Sequence, residues 1–189
     1  MSASSFGQNQ AIDFNGTTDY ISFGNDTNLR LKKFTIECWF KITGPGIPVT
    51  TGGNGTYAVP LITKGRSESE DNNRDINYFI GIDSTTNVLV TDFEEGSAEI
   101  NSGLNHPYYG TTILQNNTWY HVAMTFNGNQ MSLYLNGQLE YTNGFGVGTQ
   151  YESIQYNGVA SGLNSFGTPK GFFRGTIDEV RIWNYDRDI

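Results

Sequence analysis

The residues of this sequence that most invite chemistry are carboxylates at the heads of apolar rows. In GTIDEVRIWN (residues 175–184), alternate side chains of an extended strand share a face, which sets Asp178 in one row with Val180 and Ile182. After the turn NGTT, Asp19 heads Ile21 and Phe23 in the same way. A lone buried carboxylate is costly or takes up a proton, so each is expected to be paired, hydrogen-bonded or bound to a metal. Calcium suits such a place, because it takes oxygen ligands, including the backbone carbonyls that a turn such as Asn15, Gly16, Thr17, Thr18 offers. That reading requires the first and last strands to lie side by side; a hydrogen-bonded cap is the alternative.

A second kind of chemistry is suggested by aromatic rings, which stack on the apolar faces of sugars while neighbouring Asn, Asp and Gln satisfy hydroxyls. If Phe34, Ile36, Phe40 and Ile42 point inward, Trp39 points outward between Glu37 and Lys41. Tyr134 points outward if Leu133 and Leu135 do not, and His121 shares the row of Trp119. Trp39, Trp119 and Trp183 fall in framework motifs of the family resemblance given below, which implies that they are packed under a loop or against a neighbouring strand. Loop aromatics set among Gly and Asn, namely Tyr57, Tyr108, Tyr109 and Tyr151, are the better candidates for ligand contact.

Hydrolytic chemistry is not indicated. Glycan hydrolysis needs two carboxylates facing one cleft, yet Glu37 stands alone on its strand, and Glu94 and Glu95 point opposite ways in an extended segment. Neither His106 nor His121 has a companion serine or cysteine in a recognisable motif. There is no phosphate-cradling Gly-rich loop before a helix and no zinc-type cluster. The sequence therefore predicts a noncatalytic chain.

The elements that must position these residues read as strands. With 189 residues the chain is expected to form one domain, residues 1–189. Its 23 Gly, 14% aromatic and only 16% charged residues suit short strands and tight turns. Period-2 segments predict strands at 10–14, 19–23, 34–42, 59–65, 77–83, 87–93, 119–128, 130–141, 152–156 and 176–184, with no convincing helix. FNGN and the Asn-Gly of LNGQL are hairpin signals, which makes the neighbouring strands antiparallel. Three long polar connections, at 42–57, 65–77 and 93–112, are of the length that carries function or mobility, and the acidic SESED within the second reads as solvated surface.

A net charge of −8 argues against nucleic acid or an anionic membrane as partner. No apolar run approaches the roughly 20 residues needed for membrane insertion, and MSASSFGQNQ has no signal-peptide character. The single cysteine, Cys38, falls in an inward row and forms no intrachain disulfide. The chain stops at NYDRDI directly after a strong strand, as would a domain cut from a larger multidomain protein.

Three segments in order, AIDFNGTTDYISFG, WYHVAMTFNGNQMSLYLNGQLE and GFFRGTIDEVRIWNYDR, resemble the start, middle and end of a bacterial laminin G-like (pentraxin-like) domain of the concanavalin A-like lectin and glucanase superfamily. The resemblance covers residues 9–187 and implies an all-β jelly-roll sandwich of two antiparallel sheets. It also implies a structural calcium where the chain ends meet, with Asp178, Asp19 and carbonyls near Asn15, Gly16 and Thr18 as ligands. A further segment, LVTDFEEGSAEINSGLNHPYYGTT, is similar to a stretch found in domains of this kind attached to secreted bacterial enzymes. There Asp92, Glu94 and Asn105 are candidates for a second metal site; His106 is a poor calcium ligand and suits a hydrogen-bonding role in the loop. The function implied is a calcium-stabilised binding module, extracellular or on the cell surface, for carbohydrate or a glycoconjugate. A structural or adhesive module with a protein partner, or with a second copy of itself, is the alternative.

Overall fold

The computed structural model describes residues 10–68 and 75–189; residues 69–71 of the SESED stretch and the first nine residues lie outside them. In chain order the strands are β1 (Ile12–Asn15), β2 (Ile21–Gly24), β3 (Phe34–Ile42), β4 (Val49–Thr50), β5 (Tyr57–Lys64), β6 (Tyr78–Asp83), β7 (Leu89–Asp92) and β8 (Tyr108–Tyr109). They continue with β9 (Trp119–Phe126), β10 (Gln130–Leu135), β11 (Gln138–Gly144), β12 (Asn157–Val159), β13 (Gly162–Leu163), β14 (Pro169–Lys170) and β15 (Arg174–Trp183). The helical content of the described residues is one short 3-10 turn, Thr27–Leu29, capped by the Asp26 carboxylate, which accepts from the Asn28 amide.

Two antiparallel sheets face each other as a jelly-roll sandwich. The first runs β1-β15-β3-β9-β10-β11, and the second runs β2-β12-β5-β6-β7-β8 with β4 beside β5. The first and last strands do lie side by side, with Ile12 opposite Ile177 and Asn15 opposite Arg174. Alternation places the inward rows as expected. Phe34, Ile36, Cys38 and Phe40 of β3 are fully buried and meet Val122, Met124 and Phe126 of β9 and Leu61, Tyr78 and Ile80 from the other sheet. Cys38 is sealed in this layer, where burial pushes its thiol well above the usual range. Pro60 sits where the β5–β6 register shifts, the kind of place a strand tolerates a missing N–H.

The two outer faces differ. The outer face of the second sheet carries its own small apolar cluster, Val49, Ala58, Ile76, Phe79 and Val90, all buried beneath the long connections. Its polar residues are also buried. Asn77 clamps the 3-10 region to this sheet, its Oδ1 accepting from the Leu31 amide at 2.8 Å and its Nδ2 donating to the Leu31 carbonyl at 2.9 Å. The outer face of the first sheet is open around Trp39 and Trp119.

One expected strand is displaced. Residues 152–156 are not extended into a ladder; pairing begins at Asn157. The earlier segment is held by side chains instead: Ser153 Oγ donates to the Asp75 carbonyl, Gln155 Nε2 donates to Asp75 Oδ1, and Gln155 Oε1 accepts from the Arg66 amide. Local side-chain bonds of this kind compete with strand pairing.

Lys64, at the end of β5, is completely buried and donates to the Gln155 carbonyl at 2.7 Å, with Asn25 Oδ1 and Asn157 Oδ1 at 3.3 and 3.4 Å. Burial, with Arg30 adding to it, lowers its ammonium from 10.5 to about 8, against an opposing pull from Asp26. Between those two values the unfolded chain binds more protons than the folded one, so stability rises with pH through that window. Urea unfolding across this range is expected to show a gain on the order of 3 kcal/mol from this group, and Lys64→Met is expected to flatten the profile.

Candidate functional site

The Asn15 turn is closed by its own side chains. Asn15 Oδ1 accepts from the Thr17 amide at 2.8 Å, the Thr18 amide at 2.9 Å and the Asp19 amide at 3.3 Å, while its Nδ2 donates to Thr18 Oγ1 at 2.8 Å. Asp19 Oδ2 accepts from the Asn15 amide at 3.1 Å. Gly16 has φ +79°, and a Cβ there would stand 2.6 Å from Arg174 Cβ, so only glycine fits against the last strand. Asp19 thus serves as a hydrogen-bonded cap of the turn.

Asp178 is elsewhere. The turn abuts Arg174, four residues along β15 from Asp178, or about 13 Å at the rise of an antiparallel strand. Asp178 also lies on the other side of the sheet from the row expected for it. A bulge separates Asp178, opposite Trp39, from Arg181, opposite Glu37, with Glu179 at φ +52° and its amide donating to Asp178 Oδ1 at 2.8 Å. The bulge adds one residue, so Ile177, Val180 and Ile182 face the core while Asp178, Arg181 and Trp183 face out. This corrects the row assignment and parts the two carboxylates: a cation shared by Asp19 and Asp178 does not fit this geometry.

What the bulge builds is a composite outer face on β15, β3 and β9. The register sets Asp178, Trp39 and His121 in one line across the strands, and Lys41 beside Trp119 in the next. Trp39 is 41% exposed and Trp119 40%, so neither is packed away as the framework motifs of the resemblance implied. They are diagonal neighbours on adjacent strands, close enough for large rings to form one surface. His121 packs its ring against Trp39 at 5.3 Å, and Lys41 Nζ lies 5.2 Å from the Trp119 centroid. A groove with a volume of about 640 Å³ runs along them, lined also by Ala11, Asp178, Glu179 and Arg181.

Beneath this face sits Glu37, almost fully buried. Its Oε1 accepts from Arg187 Nη1 at 2.9 Å and from Trp183 Nε1 at 3.2 Å, with Arg181 Nη1 at 4.0 Å; His121 Nε2 lies 3.7 Å from Oε2. Burial holds His121 below the ordinary imidazole range, with Glu37 opposing and Arg181 reinforcing the shift. Arg181 itself is paired with Glu179. Glu37, Glu179, Arg181 and Arg187 were not singled out from the sequence as site residues, although one signal was present: the apolar spacing Ile177, Val180, Ile182 breaks the two-residue period where the bulge falls.

The second candidate metal cluster does converge. Glu94 and Asn105 form an isolated antiparallel bridge. Glu94 Oε2 accepts from the Asp75 and Ile76 amides at 2.8 and 3.1 Å. Asp92 Oδ1 accepts from the amides of Phe93 and His106, and Thr51 Oγ1 donates to its Oδ2 at 2.5 Å. A Cβ at Gly55 would lie 3.0 Å from Asp92 Oδ2 and 3.1 Å from Asn105 Cγ, so carboxylate and carboxamide approach the same point. Burial raises Asp92 to about 7, and burial together with Asp75 raises Glu94 to about 9. His106 holds the loop as expected, its Nε2 2.9 Å from Glu95 Oε1. Among the described residues no group of three or more His, Cys, Asp and Glu side chains is placed to hold a metal.

The four tyrosines do not form one surface. Tyr108 is half-buried in a stack with Tyr141 at 4.8 Å and Phe145 at 4.8 Å, joining β8 to β11. Tyr57 is 56% exposed at the start of β5, Tyr109 faces solvent on β8, and Tyr151 carries Lys32 Nζ 4.1 Å from its ring.

A family model described as the concanavalin A-like lectin/glucanases superfamily (Laminin_G_3) matches residues 15–188, and the chain belongs to that family. No curated protein matches it. Among solved structures it is similar to the CBM40 of the Ruminococcus gnavus IT-sialidase bound to α2,3 sialyllactose (TM-score 0.71, 14% identity, 94% of this chain and 91% of that one). A Bacteroides ovatus protein provisionally described as carbohydrate-binding matches with TM-score 0.65 and 20% identity over 95% of this chain, which spans 44% of that protein's length. Domain 4 of the Geobacillus stearothermophilus extracellular arabinanase AbnA, in complex with arabinotriose, matches with TM-score 0.58 and 17% identity over 93% of this chain and 71% of that one. These likenesses define the fold. No helix among the described residues is long and apolar enough to cross a membrane.

The Glu37 cluster supplies a test of the outer face. Glu37→Gln removes the charge that Arg187 and Arg181 surround while leaving an acceptor for Trp183, and is expected to cost about 1–3 kcal/mol in urea unfolding. Glu179→Gln, at an exposed pair, is expected to change stability by less than about 1 kcal/mol.

Proposed function

We propose that the chain is a noncatalytic carbohydrate-binding module, acting outside the cell or at its surface, whose sugar contacts centre on Trp39 and Trp119. The observation that carries this reading is the pairing of two half-exposed indoles on adjacent strands beside a groove rimmed by Asp178, Glu179 and Arg181. Indole faces take the C–H faces of a pyranose or furanose, and the carboxylates and guanidinium at the rim take hydroxyls and oxygen atoms. The solved relatives bound to sialyllactose and arabinotriose support the choice of ligand class. The carboxylates at the groove do not resemble a hydrolytic pair: Asp178 is tied to the bulge amide, Glu179 to Arg181, and Glu37 is buried beneath Arg187 and Trp183.

The test begins with a glycan array, followed by calorimetry with a sugar that binds. Trp39→Ala and Trp119→Ala are each expected to weaken binding on the order of tenfold, about 1.4 kcal/mol, while Tyr57→Ala leaves it unchanged. If the folded protein binds no glycan, the structural or adhesive alternative takes over. Wild-type affinity in both tryptophan variants would instead move the site off this face.

A further inference from the structure

The outer face of the first sheet holds one ionisable group that the sugar reading leaves without a role, the imidazole of His121. Its backbone is pinned. The His121 amide donates to Asn136 Oδ1 at 2.8 Å, its carbonyl accepts from the Asn136 amide at 2.8 Å, and across the ladder it stands opposite Trp39. Movement is left to the ring, by rotation about its side-chain bonds. As it stands, the ring packs against the Trp39 indole with centroids 5.3 Å apart and planes tilted by 54°.

The ring also faces Glu37, a carboxylate only 4% exposed, whose two oxygens are unequal. Oε1 accepts from Arg187 Nη1 at 2.9 Å and from Trp183 Nε1 at 3.2 Å. Oε2 accepts no hydrogen bond from the described residues, and the nitrogen beside it is His121 Nε2 at 3.7 Å, beyond hydrogen-bond range. A buried carboxylate oxygen without a donor is unfavourable, and a proton on the facing imidazole closes the gap with a charge-assisted bond. Glu37 lies two residues along β3 from Trp39, so a ring drawn toward it moves along the strand and off the indole.

The other charges around the ring leave this balance to Glu37. From β15, Arg181 disfavours a proton on His121 but is itself paired with Glu179, and Asp178 stands beyond Trp39. From β3, Lys41 lies over Trp119, and Arg187, which follows β15, is bonded to Glu37 Oε1. On the other side β10 brings Tyr134, opposite Ala123, and no charged side chain. Burial holds His121 below the ordinary imidazole range, so the ring is neutral at neutral pH.

We propose that His121 is a proton-operated brake on the Trp39 platform: the neutral ring supports the indole, the imidazolium turns to Glu37 Oε2 and withdraws that support, and glycan binding weakens in acid. The inference rests on the reading that sugar contacts centre on Trp39 and Trp119. A glycan that prefers the neutral form must in turn lower the proton affinity of His121 by the factor that the proton lowers glycan affinity.

The first probe is the proton itself: the whole chain is titrated with acid by NMR, following the histidine ring signals and the Trp39 indole signal. The chain has two histidines, and His121→Gln tells them apart. Expected is a Trp39 shift with the same midpoint as His121, absent in His121→Gln; an indole that does not follow His121 overturns the brake. Calorimetry then uses the array glycan that Trp39→Ala fails to hold. Wild-type affinity is expected to be roughly tenfold weaker at about pH 5 than at neutral pH, with the matching drop in His121 proton affinity at saturating glycan. The ratio between the two conditions falls to near one in His121→Gln and, should that variant not fold, in Glu37→Gln, which lacks the anionic acceptor. A ratio near one in the wild type, or a tenfold ratio that survives in the folded variant, overturns the brake and leaves the carbohydrate reading standing. A Trp39 signal that follows His121 in a chain that binds no glycan does the reverse.

Discussion

A single extra residue in the last strand determines the character of the first sheet. β15 lies between β1 and β3, and its bulge reverses which side chains reach the core on either side of Glu179. Without it, the alternation running back from Val180 and Ile182 would turn Asp178 into the hydrophobic layer and Ile177 out to water. With it, Ile177 is buried, and Asp178, Arg181 and Trp183 join Trp39 and Glu37 on the open face. The positive φ at a glutamate is the local cost of this arrangement. That the fold keeps it is consistent with how much of the outer face depends on the altered register.

The two faces of the sandwich solve opposite problems. On the first sheet the polar groups are gathered around one buried carboxylate, Glu37, which is satisfied by an indole and a guanidinium, and the tryptophans beyond it are left half in water. On the second, polar side chains are drawn beneath the loops and spent on backbone groups: Asn77 on Leu31, Ser153 on Asp75, Glu94 on Asp75 and Ile76. Such bonds replace the regular ladder that long connections lack, and each is strong only because water is excluded around it. The loops over the second sheet are therefore part of its packing.

Much of the architecture can be read from the sequence because it depends on period-2 alternation, which the core-facing rows of β3, β9 and β10 keep without interruption. The side-by-side placement of the chain's first and last strands could likewise be anticipated. What escaped was the register. The stretch Ile177, Asp178, Glu179, Val180 carries a three-residue apolar spacing that marks the bulge, but the more regular Asp178, Val180, Ile182 row masks it. Trp39 and Trp119 were expected to be covered because they fall in framework motifs of the family; their exposure depends on what packs over a sheet face, which no local pattern encodes. That Glu94 and Asn105 meet as a bridge, and that Glu68 and Asp75 from a different connection line the same cavity, are tertiary facts.

The pairing of β1 with β15 has a consequence for how the chain acquires its structure. Thr176 Oγ1 donates to Asp13 Oδ1 across a separation of 163 residues, and the whole β1 ladder is made of contacts of similar range. Loop closure over such distances comes late and slowly in folding. During synthesis β1 therefore emerges long before the strand it pairs with, and β3 must likewise wait for its neighbour β15. Until the last strand arrives, the edges of β3 and β1 that pair with it remain open to whatever else is present. The final segment of the chain thus acts as the closing step of folding as well as one wall of the groove.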